Sequence, residues 1–208
     1  MIAAVTFMAH TSNAQENSTD FRDQFQFGLK AGINYSNVYK ATGEEFEADA
    51  KFGFVAGLFV MVPIGEKLGI QPEILFSQKG FKATGIILEN TYELTRTTNY
   101  IDVPLLFSFK PSEVVSLLAG PQFSYLLNKK DVFENATSSA EQEEEFENEN
   151  IRKSTLCFVG GLDFNLNHLV LGARVGWDLM KNNVDEAATT PRYKNFWYQI
   201  TAGYRFYD

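Results

Sequence analysis

Two histidines and one cysteine are all that this 208-residue chain offers for imidazole or thiol chemistry. His10 lies in an apolar leader and His168 in a tight turn, so no histidine is available at an external loop for general-base work. Cys157 has no histidine neighbour in sequence and is expected to pack as a small apolar residue. No His/Cys/Asp/Glu spacing suits a metal, no glycine-rich loop suits a phosphate, and no basic stripe suits nucleic acid. The expectation is a chain that is not an enzyme and carries no cofactor. Two sets of charges remain. One is scattered singly through apolar segments: Lys30, Glu73, Asp163, Arg174, Asp178 and Arg205. The other is a run: Asp131, Glu134, Glu141, Glu143, Glu144, Glu145, Glu147 and Glu149, with no Lys or Arg between 131 and 149.

The scattered charges sit in segments that alternate apolar and polar residues with period two, the pattern of strands. Eight such segments run over Phe25–Tyr35, Lys51–Val62, Leu68–Lys82, Tyr92–Phe109, Val114–Leu127, Thr155–Asn165, Leu169–Met180 and Phe196–Tyr207. With 19 Phe and 9 Tyr the chain is rich in the aromatics that strands accommodate best. The longest apolar run, Phe52–Ile64, contains Gly53, Gly57 and Pro63 and is shorter than the ~18–20 residues a spanning helix needs. That excludes a helical membrane protein.

The connections are sorted by length. Gly65-Glu66-Lys67, Pro111-Ser112-Glu113 and Leu166-Asn167-His168 are tight. They alternate with long connections over 38–50, 83–91, 128–154 and 181–195. The short ones fall on the side of both termini, which is the layout of outer-membrane barrels. The expected fold is therefore all-β: an eight-stranded antiparallel up-and-down transmembrane barrel, with short periplasmic turns and long external loops.

Alternation does not by itself say which face points inward. A soluble secreted or periplasmic barrel would enclose Phe25, Leu29 and Ile33 around an apolar ligand and leave the charges in water; a membrane barrel inverts this. Segment lengths of ten residues or more match the ~9–11 of a tilted span. Phe25, Tyr35, Phe109, Tyr125, Phe196, Tyr198, Tyr204 and Phe206 fall near segment ends, where interfacial girdles sit. In the membrane arrangement the six scattered charges form a polar network inside a barrel that side chains fill, since eight strands leave little lumen. The soluble arrangement and a narrow channel stay open as alternatives.

The first residues, 1–14, have the features of a truncated signal peptide. Ile2–Ala9 is apolar, and Ser12-Asn13-Ala14 supplies small residues for cleavage before Gln15. A short periplasmic segment, 15–24, would then lead into the barrel domain, 25–208. Pro72, Pro104 and Pro121 fall inside strand segments and predict local bulges, because each removes a ladder donor. The net charge is −8, and the eight acids of residues 131–149 account for all of it. Such an external loop could hold divalent cations, bridge to lipopolysaccharide through Ca²⁺ or meet a basic protein. Because its spacing matches no Ca²⁺-loop pattern, the favoured reading is a solvated loop kept soluble by its charge.

Several runs carry a resemblance. Phe27-Gly28-Leu29-Lys30-Ala31-Gly32-Ile33-Asn34-Tyr35-Ser36 is similar to the opening strand of the PorT-like outer-membrane β-barrel family of Bacteroidetes-type bacteria. Residues 71–80 (QPEILFSQKG), 100–106 (YIDVPLL), 120–127 (GPQFSYLL) and 203–206 (GYRF) follow in the family's order. The resemblance implies an integral outer-membrane barrel; most members have no assigned activity. The name-giving member is similar to a component of a secretion and gliding apparatus, a role the barrel alone does not imply. Tyr207-Asp208 after Phe206 depart from a terminal aromatic. Expected partners are outer-membrane lipid and lipopolysaccharide, with a protein partner at the loops, no nucleic acid, and a monomeric barrel.

Overall fold

The computed structural model describes residues 22–40, 47–87, 90–135, 139–144, 152–182 and 193–206. Nine strands are present among them: β1 (Gln26–Lys40), β2 (Glu47–Pro63), β3 (Leu68–Ile87), β4 (Asn90–Phe109), β5 (Val115–Asn135), β6 (Ser139–Glu144), β7 (Ser154–Leu166), β8 (Leu169–Asp178) and β9 (Tyr193–Phe206). All pairings are antiparallel. β4 pairs with β5 and β1 pairs with β9, so β1–β5 and β7–β9 close into an eight-stranded barrel. β6 stands outside that ring, paired to the far end of β5 beyond the point where β7 leaves it.

The seam between first and last strands runs without a break from Phe27↔Phe206 to Lys40↔Tyr193. It depends on Gly32: a Cβ there would lie 1.9 Å from the Ile200 carbonyl oxygen. At the turn end, β2–β3 and β4–β5 are joined by short bends, and Asn167-His168 joins β7 to β8. Asn167 has φ 50°, a left-handed conformation that asparagine tolerates in two-residue hairpins.

The strands reach further at the loop end than expected, most of all in two places. Residues 83–87 and 90–91 of the connection expected over 83–91 are strand instead, with β3 reaching Ile87 opposite Asn90. The β-branched threonines at 91, 95, 97 and 98 suit that continuation. The connection expected over 128–154 is shortened by the extension of β5 to Asn135 and by β6. At ~3.3 Å per residue the 21 residues of β5 span far more than a hydrocarbon layer, so the sheet projects beyond it at the loop end.

Bulges occur, but not at the prolines. The register shifts lie between Ala50 and Val55 in β2–β3 and between Asn99 and Tyr100 in β4–β5. Around Pro72 and Pro104 the pairs are interrupted yet resume in the same register, and Pro121 pairs with Phe158. Losing one ladder donor costs less than displacing every side chain beyond it to the other face. The shift in β5 leaves Leu127 unopposed, so inward positions change from Gln122, Ser124 and Leu126 to Lys129 and Asp131.

Candidate functional site

Which face is inside follows from burial. On β1 the residues Gln26, Lys30, Asn34 and Ser36 are buried, while Phe27, Leu29, Ile33 and Tyr35 are about half exposed on the outer wall. On β9, Asn195, Trp197, Gln199, Thr201 and Arg205 point inward; Tyr198, Ile200 and Tyr204 point outward. The apolar rows thus cover the outside. Rings pair along the outer wall near both ends: Phe27 with Phe206 and His168 with Tyr204 at the turn end, Tyr35 with Phe52 towards the loop end. An outer surface this apolar needs lipid around it. The soluble barrel with an apolar cavity is therefore overturned.

The interior carries three groups of charge along the axis. Nearest the turn end, Arg174 Nη1 lies 2.7 Å from Asp163 Oδ1 and its Nη2 donates to Asp163 Oδ2 at 2.9 Å. Arg174 also approaches Glu73 Oε1 at 3.9 Å. Lys30 pairs closely with the other oxygen of Glu73, and Gln71 donates to Glu73 at 2.7 Å. Of the six scattered charges, four therefore meet in one cluster. Arg205 lies below it and donates to Gln26 Oε1 at 3.0 Å and to the Asn167 carbonyl.

Asp178 lies on the other side of the interior, nearer the loop end. It accepts from the Asn195 backbone N–H at 2.9 Å and from the Cys157 thiol at 3.1 Å. Cys157 itself is fully buried against Leu106, Leu118, Val159 and Trp197. Beside it sits an ion pair that sequence reading missed. Lys79 Nζ is 2.9 Å from Asp102 Oδ2, and each side chain is 1% exposed. Its signal was present: Lys79 continues the inward row of Gln71, Glu73, Leu75 and Ser77 on β3. Asn34 links the groups, donating to Ser77 Oγ and accepting from Gln199 Nε2, both at 3.0 Å.

The third group closes the loop end. Arg96 makes two bonds to Asp131, at 2.8 and 2.7 Å, and a third to the Tyr193 hydroxyl at 3.3 Å. Lys129 adds a contact to Asp131 at 3.5 Å. Val38, Phe81, Ala83 and Tyr193 pack beside this group. Asp131 is thus an interior counter-ion, not part of an external acidic loop, because the β5 bulge turned it inward. Seven of the eight acids remain in the run. Glu141, Glu143 and Glu144 lie on β6, with Glu143 opposite Lys130 and Glu144 opposite Lys129 in register. Glu145, Glu147 and Glu149 fall outside the described residues, as do residues 1–14 and the terminal Tyr207-Asp208. Among the described residues, no group of His, Cys, Asp and Glu is placed to hold a metal ion.

A closed eight-stranded ring, apolar outside and charged within, is the geometry of an outer-membrane barrel, and a family model of that kind, the outer membrane protein beta-barrel domain, matches residues 13–183. The chain belongs to this family. Its place is the outer membrane. No curated protein matches the chain. Among solved structures it is similar to Ail, the attachment invasion locus protein of Yersinia pestis in complex with the heparin analogue sucrose octasulfate. The identity is 18%, with 88% of this chain and 99% of that one covered and a TM-score of 0.51. It is also similar to Neisserial surface protein A, at 11% identity, 86% and 97% coverage and a TM-score of 0.46. The likeness to Ail is one of fold.

Proposed function

We propose that this family member is a PorT-like barrel that conducts nothing, catalyses nothing and acts through its external strands and loops. The interior carries this reading. Ion pairs cross the space enclosed by the ring at three levels, from Lys30–Glu73–Arg174–Asp163 through Lys79–Asp102 to Arg96–Asp131. Eight strands leave room for little besides side chains, and each pair is held in place by the cost of separating buried charges. Function then falls to the projecting part, where β5 and β6 extend the sheet above the lipid.

The chemistry of that part favours cationic partners. Glu141, Glu143 and Glu144 on β6, followed by Glu145, Glu147 and Glu149, suit divalent cations, a Ca²⁺ bridge to lipopolysaccharide or a basic protein surface. The polyanion seen with Ail would meet repulsion there. A monomer embedded among lipid and lipopolysaccharide is the proposed working form.

Planar-bilayer recording tests the plug. Purified chain should leave the bilayer silent at high salt. Steady unitary conductance would replace this reading with a narrow channel. Deletion of residues 136–150 should leave assembly in the outer membrane intact while removing any Ca²⁺-dependent association with lipopolysaccharide.

A further inference from the structure

The barrel wall parts near its loop end. The β1–β2 ladder runs from Gln26↔Met61 to Ser36↔Lys51. Beyond it β1 stays with β9 as far as Lys40↔Tyr193, while the residues of β2 from Glu47 to Ala50 stay with β3. Asn37 spans the gap: its Nδ2 donates to the Ala48 carbonyl at 3.0 Å, and its Oδ1 accepts from the Val38 N–H at 2.7 Å. Where the two strands separate, the outer face holds a cavity of about 340 Å³, within the ~300–1,000 Å³ range of ligand pockets. Counted from Phe27, the ~9–11 residues of a tilted span end at about residues 35–37, so the cavity lies at the edge of the lipid belt and is reached from water.

Its lining combines aromatic rings with one carboxylate. Tyr35 and Tyr39 of β1 and Phe196 and Tyr198 of β9 bring four rings from two paired strands, and Tyr198 lies opposite Tyr35 in register. The rings are held in place. Tyr35 leans on Phe52 with centroids 4.8 Å apart, Phe196 meets Tyr198 edge to face at 4.9 Å, and the Tyr39 hydroxyl donates to the Asp178 carbonyl at 3.3 Å. Across the gap β2 contributes Asp49, which among the described residues is the one charged side chain of the lining. Lys82, opposite Asp49 in the β2–β3 register, pairs with Glu93 at 2.6 Å. Aromatic rings attract a cation through their faces, and a carboxylate beside them adds charge complementarity. An ordinary interfacial girdle supplies rings on a convex wall, with neither the cavity nor the acid.

We infer that this cavity binds a small water-soluble organic cation of the quaternary or alkylammonium class, its charged head among Tyr35, Tyr39, Phe196 and Tyr198 and facing Asp49. The class follows from the lining. A metal ion would need more oxygen ligands than Asp49 and the already engaged Asn37 supply, and an anion would meet Asp49. The site is independent of β6 and of whether the barrel conducts.

Calorimetric titration of the full chain with choline, in a maltoside detergent and an amine-free buffer, tests the site. The neutral control is the choline analogue with tert-butyl in place of trimethylammonium. Choline should bind saturably and about tenfold more tightly than the neutral analogue. Asp49→Asn should weaken choline roughly fivefold and leave the neutral analogue unchanged; Tyr198→Leu, which removes the ring and keeps an apolar surface, should weaken choline by a similar factor. Tyr125→Leu, on the outer wall of β5 and away from the cavity, should change nothing. Vesicles containing phosphatidylethanolamine distinguish a soluble ligand from a lipid headgroup. Choline should bind there as in detergent; its exclusion would make the headgroup the occupant and overturn the assignment. Folding of each variant is checked by its migration on unboiled gels. Absence of saturable binding, equal binding of the neutral analogue, or wild-type binding by both folded cavity variants would overturn the inference.

Discussion

The ammonium of Lys79 sits 3.8 Å from the centroid of the Trp197 ring, with both side chains fully inside the barrel. Trp197 in turn occupies the space that Gly176 leaves, where a Cβ would come within 2.3 Å of the indole. The cation is therefore held between a ring, which attracts it through the π face, and the Asp102 carboxylate. Lys79→Met should destabilise the barrel by about 3–5 kcal/mol, because Asp102 is left buried and unpaired. Lys79→Met combined with Asp102→Leu should recover most of that loss. Urea unfolding in micelles, followed by tryptophan fluorescence, gives both values.

Arg96→Met should cost less than Lys79→Met. Asp131 keeps Lys129 Nζ at 3.5 Å when Arg96 is gone, whereas among the described residues Asp102 is paired with the cation of Lys79 alone. The same unfolding experiment compares the two variants; a larger loss for Arg96→Met would contradict the assignment of Asp131 as a shared counter-ion.

Ala173 and Ala202 lie on the outer wall, opposite Leu162 and Leu171 in register. Arginine at either position should cost ~2–4 kcal/mol near the middle of the bilayer. Stability unchanged in lipid vesicles would place these residues on the wrong face.

Gly32→Val places a side chain against the β9 backbone, where nothing flexible can yield. The seam should open, with a loss of about 1–3 kcal/mol or more and a reduced folded fraction. The refolding yield from urea into detergent measures it.

Much of this was legible in the sequence, and the part that was not has a common cause. Period-two alternation and the turns at 65–67, 111–113 and 166–168 carry the barrel and the inward placement of Lys30 and Glu73. The alternation changes phase at bulges. Past Leu127 the inward positions become Lys129 and Asp131, so β5 looked finished and its extension looked like the start of an acidic loop. The same happens in β2, which begins at Glu47 but alternates cleanly only beyond the shift between Ala50 and Val55. Partner choice was illegible for a different reason. Which acid Arg174 meets depends on strand order and tilt around a closed ring, not on its neighbours in the chain.

The most direct test of the account is electrophoretic migration of the outer-membrane fraction, unboiled against boiled. A closed barrel wrapped in an apolar outer wall predicts that the chain sediments with the outer membrane, needs detergent for extraction and shifts its mobility only after boiling. A single band at one mobility, with recovery of the chain in detergent-free buffer, would contradict it.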